Sequence, residues 1–184
     1  RDLNGSPPMT KPVQSWWDQV GVVTENSPEA LALSKEGRFG TELSDGRVRL
    51  SLLEAFYLVE KEKIVVLDGK NKKLSLHELR KKCSRQDHDF VNHSAVFTDL
   101  RSRGFTVKTA LKFGGNFRVY DRGTTPGAEH SKWVVFVVRE GSTFSWHEYS
   151  AKNRVAHSTK KRLLIAVVDD EGSVSYWESR WMKL

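Results

Sequence analysis

Two runs near the end of the chain, WVVFVV (Trp133 to Val138) and LLIAVV (Leu163 to Val168), are apolar at every position. A strand with one wet face alternates apolar and polar residues, so a strand with no polar face has to be covered on both sides. The runs therefore predict two central strands, and they commit the second half of the chain to a mixed β-sheet flanked by helices.

Helix starts are marked by serine followed three residues later by glutamate, the spacing at which each side chain caps the other's backbone N–H. The pattern occurs at Ser51 with Glu54, Ser75 with Glu78, and Ser145 with Glu148. After the first, Leu52, Leu53, Phe56, Tyr57 and Val59 recur at helical spacing. After the second comes a shorter, strongly basic helix, and IVVLDGKNKK between them reads as a strand and a turn. Upstream, VGVVT, ALALS and GRVRL are predicted as short strands. Residues 9–91 thus form a small N-terminal α/β domain, and residues 1–8 are read as a disordered tail or expression remnant. Residues 92–184 form the C-terminal domain. It begins with a helix over SAVFTDLRSR that stops at Gly104. Next come the strand FTVKTALKF, a Gly114-Gly115-Asn116 turn, the strand FRVYDR, and the two apolar strands on either side of the third capped helix. An Asp169–Gly172 turn leads into VSYWESRWM, whose alternation puts Ser175, Trp177, Ser179 and Trp181 on one side. Tryptophans on an edge strand require cover, either from a helix of the same chain or from another subunit.

No apolar run approaches the roughly 18 residues of a membrane span, and no signal-peptide pattern opens the chain, which predicts a cytoplasmic protein with no membrane partner. A single cysteine, Cys83, rules out an internal disulfide framework and a cysteine-rich zinc site. The net charge of +7 favours a polyanionic partner. Asp87, His88, Asp89 and His93 have the composition of a metal site, and Asp169 and Asp170 follow a buried strand. Both groups have ordinary readings, as a linker and a hairpin turn, and no metal or cofactor is expected. The run Arg80 to Arg85 and the loop Ser34 to Gly40 offer Lys35, Arg38, Arg80, Lys81 and Lys82 to phosphates.

The chemistry concentrates in FRVYDRG, AEHS and RVAHSTKKRLL, which supply Tyr120, His130 and Lys161. A phenol, an imidazole and an ammonium without a nucleophilic serine or cysteine suit proton transfer around a phosphodiester, and point to a metal-free ribonuclease. A tyrosine acting as base needs cations nearby. The period of two sets Tyr120 between Arg118 and Arg122 on one strand face, with Lys161 converging. An imidazole can protonate a departing ribose 5′-oxygen. An ammonium stabilises the extra charge of a pentacoordinate phosphate. Arg154, Ser158 and Lys161 fall four and then three apart, on one helix face.

Read together, FTDLRSRGFTVKTALKFGGNFRVYDRG, AEHSKWVVFVV and NRVAHSTKKRLLIAVVDDEG closely resemble the archaeal tRNA-intron splicing endonucleases, over about the last 95 residues. LSLLEAFYL resembles that family's N-terminal domain more weakly. The resemblance implies a restriction-endonuclease-like catalytic domain in which Tyr120 is the general base, His130 the general acid and Lys161 the transition-state stabiliser. It implies cleavage of precursor tRNA at bulge-helix-bulge motifs without a metal, leaving a 2′,3′-cyclic phosphate and a 5′-hydroxyl. Arg154 matches one side of a clamp that holds a bulged base, and either Arg180 or Trp181 completes it. Two cleavage sites per motif imply an oligomer, a tetramer of identical chains or of two catalytic and two non-catalytic subunits. The family's acidic assembly loop is thin here, since REGSTFSWHE holds only Glu140 and Glu148. Two other readings stay open: a structured-RNA-binding subunit that does not cut, and a metal-dependent nuclease using Asp169 or Asp170.

Overall fold

A computed structural model describes residues 11–110, 115–124, 127 and 130–184. The tail at residues 1–8 and Gly114 of the expected turn lie outside the described residues. Chain contacts divide into two units that meet between Gln86 and Asp87.

The first unit runs β1 (Val13–Asp18), β2 (Gly21–Thr24), α1 (Pro28–Lys35), β3 (Thr41–Glu42), β4 (Val48–Leu50), α2 (Leu52–Glu60), β5 (Ile64–Leu67) and α3 (Leu76–Gln86). Its strands form one sheet in the order β3-β4-β2-β1-β5. Only β1 and β5 run parallel. Val22, Val48, Leu50, Ala55 and Leu79 are fully buried between sheet and helices. The segment ALALS, expected as a strand, is helix α1. Ser27 accepts a hydrogen bond from the Ala30 N–H at 3.1 Å, Pro28 occupies the first turn, and Glu29 faces the helix dipole. Those start signals outweigh the two-residue alternation, because they satisfy orphan N–H groups that a short strand would leave to other partners.

All three serine–glutamate pairs form reciprocal caps. The Ser51 and Ser145 pairs close on α2 and on α5 (Trp146–Ser158). At α3 the Ser75 N–H donates to Glu78 Oε2 at 2.8 Å and the Glu78 N–H to Ser75 Oγ at 3.1 Å. The first has a further task. Glu54 is 5% exposed, and its Oε2 accepts from the Gly40 N–H at 2.6 Å while Oε1 accepts from the Ser51 N–H at 3.0 Å. One carboxylate thus ties α2 to the loop after α1. Gly40 can lie this close because its φ is +66° and a Cβ there would meet the Arg49 carbonyl at 2.4 Å.

The second unit runs α4 (Phe90–Ser102), β6 (Thr106–Thr109), β7 (Phe117–Tyr120), β8 (Trp133–Arg139), α5, β9 (Arg162–Val168) and β10 (Val174–Ser179). The sheet order is β10-β9-β8-β7-β6. The two apolar runs are β8 and β9, flanked on both sides and paired parallel with each other, so α5 is the crossover that joins them. On one face Ala156 of α5 packs on Val134, Phe136, Leu163 and Ile165. On the other α4 supplies Phe97 against Phe117, and the Tyr176 hydroxyl donates to Asp99 at 2.7 Å. Helix α4 ends at Gly104, φ +90°, with Gly104 N–H to the Arg101 carbonyl and Phe105 N–H to the Leu100 carbonyl, the paired bonds of a glycine-terminated helix.

Strand β10 alternates. Tyr176 turns toward α4, and Ser179 is hydrogen-bonded to Tyr149 and Asn153 of α5. Trp177 remains 59% exposed on this edge strand, so no helix among the described residues covers it. No helix among the described residues is long and apolar enough to cross a membrane.

Replacing Glu54 with alanine strands the Ser51 and Gly40 N–H groups together. We expect Glu54→Ala to lower unfolding free energy by about 2 to 4 kcal/mol, read as a fall in the urea midpoint at constant slope.

Candidate active site

Tyr120 is the last residue of β7 and is 4% exposed. It pairs with Thr106 of β6. By the two-residue period it shares a face with Arg118, which lies in one row with Val134 and Leu163 beneath α5. The paired ladders end at Val119 with Trp133 and at Trp133 with Arg162. Continued by one residue, they align Tyr120, Lys132 and Lys161 across three strands. Tyr120 and Lys161 then stand two strand spacings apart, about 10 Å between backbones. Lys132 is drawn out of that row: its ammonium pairs with Asp121 at 3.2 Å and lies over the Trp133 ring.

Lys161 does not belong to α5. The helix closes at Thr159, Lys160 adopts φ +56°, and the Lys161 N–H returns to the Ala156 carbonyl at 2.8 Å. The expectation that Arg154, Ser158 and Lys161 share a helix face therefore fails at its last member. Arg154 and Ser158 are exposed on α5, whereas Lys161 is directed by a left-handed residue that is not glycine. Such a conformation is costly for lysine and persists only where surrounding structure enforces it.

From this turn the Lys161 ammonium reaches the Ser131 carbonyl at 3.5 Å. Ser131 is buried and follows His130, which is exposed. Four residues of the preceding loop, Thr125, Pro126, Ala128 and Glu129, lie outside the described residues. Burial lowers the Lys161 pKa below the ordinary lysine value, and the positive charge of Arg118 lowers it further. Arg118 is thus an electrostatic neighbour of Lys161, while its own Nε–H donates to the Thr109 carbonyl at 2.8 Å.

Arg122 departs from the expected arrangement. The strand ends at Tyr120, so the alternation does not carry past it. Arg122 donates its Nε–H to the Arg103 carbonyl at 2.8 Å and stacks over Phe105. Tyr120 therefore has one arginine on its face of the sheet, not two.

A cleft of about 250 Å³ opens beside Lys161, lined by His157, Lys160, Arg162, Arg180 and Trp181 with others. The Trp181 ring lies 4.7 Å from that of His157. Glu178 gathers the rim, accepting from Arg162 at 3.3 Å, Arg180 at 3.2 Å and the Trp133 indole at 3.2 Å. Desolvation pulls the Glu178 pKa up, but the hydrogen bonds from Arg180 and Trp133 and the nearby arginine charges outweigh it and leave the group below its ordinary value. His157, Lys160, Arg162 and Glu178 were not singled out from sequence. The only hint was the cationic run Lys160 to Arg162. Lys35 lies in the last turn of α1, in the first unit.

The two candidate metal clusters are engaged locally, the first by side-chain contacts and the second by the N–H groups of its turn. His93 Nδ1 sits 2.5 Å from Asp87, its Nε2 faces the Asn116 amide at 3.2 Å, and Asp169 accepts from the Glu171 and Ser173 N–H groups of its turn. Among the described residues no three His, Cys, Asp or Glu side chains are grouped to hold a metal ion.

Residues 90–176 match the family described as tRNA intron endonuclease, catalytic C-terminal domain, and residues 18–80 match tRNA intron endonuclease, N-terminal domain. The chain is 46% identical over 146 residues to a tRNA-splicing endonuclease of Thermococcus kodakarensis, covering 79% of this chain and 84% of that protein. It is 42% identical to one of Nanoarchaeum equitans, covering 79% and 96%. With one of Pyrococcus horikoshii it shares 38% identity, covering 95% and 99%.

Removing the Arg118 charge leaves burial as the main pressure on Lys161. We expect Arg118→Ala to move the Lys161 pKa upward, part of the way to the ordinary lysine value, in an NMR titration of ¹³Cε-labelled lysine. The sign also appears in stability. A lysine with a depressed folded pKa adds stability as pH rises from that value toward its unfolded one, so Arg118→Ala narrows this alkaline window.

Proposed function

This chain belongs to the tRNA intron endonuclease family, and we propose that it cuts precursor tRNA with Tyr120, His130 and Lys161 at bulge-helix-bulge motifs. It is an endonuclease that acts on tRNA introns. In the proposed reaction Tyr120 takes the proton of a ribose 2′-hydroxyl, whose oxygen attacks the adjacent phosphorus. The bond from phosphorus to the 5′-oxygen breaks, and His130 gives that oxygen a proton. Lys161 faces the charge that develops on the non-bridging oxygens. A 2′,3′-cyclic phosphate and a 5′-hydroxyl result. Attack requires the entering and leaving oxygens to stand in line, which a bulged nucleotide achieves more readily than a regular A-form helix.

The observation that carries this reading is the contact of the Lys161 ammonium with the carbonyl of the residue following His130. The register that aligns Lys161 with Tyr120 supports it. Arg154, with Arg180 or Trp181 beside the cleft, holds a bulged base by stacking, while Arg118, Arg122, Ser158 and Lys35 are further RNA contacts.

Two cuts per intron with one set of catalytic groups per chain call for an assembly, which we take to be a tetramer, homomeric or mixed with non-catalytic subunits. The uncovered Trp177 on edge strand β10 supports a subunit contact there. The thin acidic loop favours the mixed form. Of its two acids Glu148 is held by the Ser145 cap, leaving Glu140.

With a bulged transcript, His130→Ala and Lys161→Ala should each slow single-turnover cutting by about 10² to 10³-fold at nearly unchanged RNA affinity. Rates near wild type in either variant refute the assignment. Excess EDTA should leave the wild-type rate intact, whereas loss of cutting turns the reading toward Asp169 or Asp170. An inactive wild-type chain that still binds the RNA would mark a recognition subunit.

A further inference from the structure

Between Asp68 and Gln86 the chain carries seven lysine and arginine side chains and two acids, in a protein whose net charge is +7. Both acids are engaged locally. Asp68 accepts from the Lys70 and Lys72 N–H groups at 2.8 and 2.9 Å, and Glu78 caps α3 and meets Lys72 at 3.5 Å. Helix α3 buries Leu79 and Cys83 completely. At 100° per residue, His77, Arg80, Lys81, Ser84 and Arg85 fill one continuous arc on its other side. Arg80, Lys81 and Arg85 are exposed.

The turn and the helix make one surface. Lys72 reaches Glu78, Lys82 lies over the Trp17 ring at 5.5 Å, and the Trp16 indole donates to Asn71 at 3.1 Å. Lys81 and Arg85 stand one turn apart, where like charges repel and weaken a helix. Neither meets a carboxylate among the described residues. An ordinary solvated helix face intersperses acids at this spacing. A face whose formal charges are all positive, at a cost to its own helix, is complementary to a polyanion.

We infer that the basic face of α3 and the turn before it seat the phosphate backbone of the precursor RNA outside the scissile linkage. This rests on the RNA-cutting function proposed above and adds a second, non-catalytic grip on the first unit. Phosphate contacts of this kind supply affinity without sequence preference and weaken with salt.

The test uses the full chain carrying Lys81→Gln and Arg85→Gln together, and a bulged RNA with 2′-deoxy sugars at the cleavage sites, so that affinity is read independently of cutting. Each lost phosphate contact should reduce the slope of log affinity against log salt by about 0.7 to 0.9. The pair should weaken binding on the order of tenfold near 0.1 M salt, with the saturating single-turnover rate on cleavable RNA unchanged. A matched control, Lys11→Gln with Lys63→Gln, removes equal charge near the opposite end of β1 and should leave affinity and slope close to wild type. Unchanged affinity in the first variant overturns the inference, as does equal weakening in the control. A changed sedimentation coefficient with unchanged RNA affinity also overturns it, assigning the face to a neighbouring subunit. Failure of wild type to cut the cleavable RNA counts against the proposed function and leaves the binding comparison intact.

Discussion

Parallel pairing of β8 with β9 is the constraint from which the second unit follows. Two neighbouring parallel strands cannot be joined by a tight turn, so the chain has to leave the sheet and return. Helix α5 makes that passage. Covering the pair from one side by α5 and from the other by α4 takes Val134, Val135, Leu163 and Ala166 to zero exposure. Each buried valine or leucine contributes about 1.5 to 3 kcal/mol. Because β7 runs antiparallel to β8, the end of β7 and the beginnings of β8 and β9 share one edge of the sheet. Tyr120 ends the first of these strands, while His130 and Lys161 precede the other two. Residues forty positions apart in sequence are thereby gathered at one edge by backbone hydrogen bonding alone, before any contact between their side chains.

Edge placement is coarse, and the finer aim of Lys161 comes from the turn behind it. Lys160 is left-handed, the conformation in which helices usually place glycine. Glycine would relieve the strain but loosen the approach to β9, while lysine adds a cation to the cleft. The ammonium is held next to a backbone carbonyl, partly out of water and facing Arg118. A charge kept in such surroundings is poorly solvated in the free protein, and in the proposed reaction the negative charge developing on phosphate would meet a cation with little hydration to lose.

The parts of the fold legible in sequence were those with a local physical signature. Doubly apolar runs require burial on both faces, and reciprocal serine–glutamate caps bind groups three residues apart. Both features survive any tertiary context. Helix α1 reads as a strand because Ala-Leu-Ala-Leu satisfies a strand's alternation, whereas Ser27-Pro28-Glu29 supplies a helix start. Arg122 departs from expectation because the strand period was carried two residues beyond the hydrogen-bonded ladder, which ends at Tyr120. At the site, tyrosine, histidine and lysine are each commonplace, and only their order within three family-like blocks drew attention to them. The bond from Gly40 to Glu54, the stacking of His157 on Trp181, and the collection of Arg162, Arg180 and Trp133 around Glu178 join residues distant along the chain. No period or spacing announces such contacts.

Glu178 shows how a basic site can stay ordered without RNA. Two guanidinium groups on adjacent strands would repel one another across the cleft rim, yet both are drawn to one carboxylate held in its charged form by hydrogen bonds. The same carboxylate is a competitor for any phosphate that approaches those arginines, so it trades attraction for geometry. In the proposed function contacts of that kind would orient the substrate, and orientation raises rate only where it is realised in the transition state. Affinity that does not depend on the reaction coordinate is better supplied elsewhere, by exposed cations with no carboxylate to satisfy. The two tasks are divided in the proposed function: Arg162 and Arg180 share Glu178 in the second unit, while Lys81 and Arg85 of α3 in the first meet no carboxylate among the described residues.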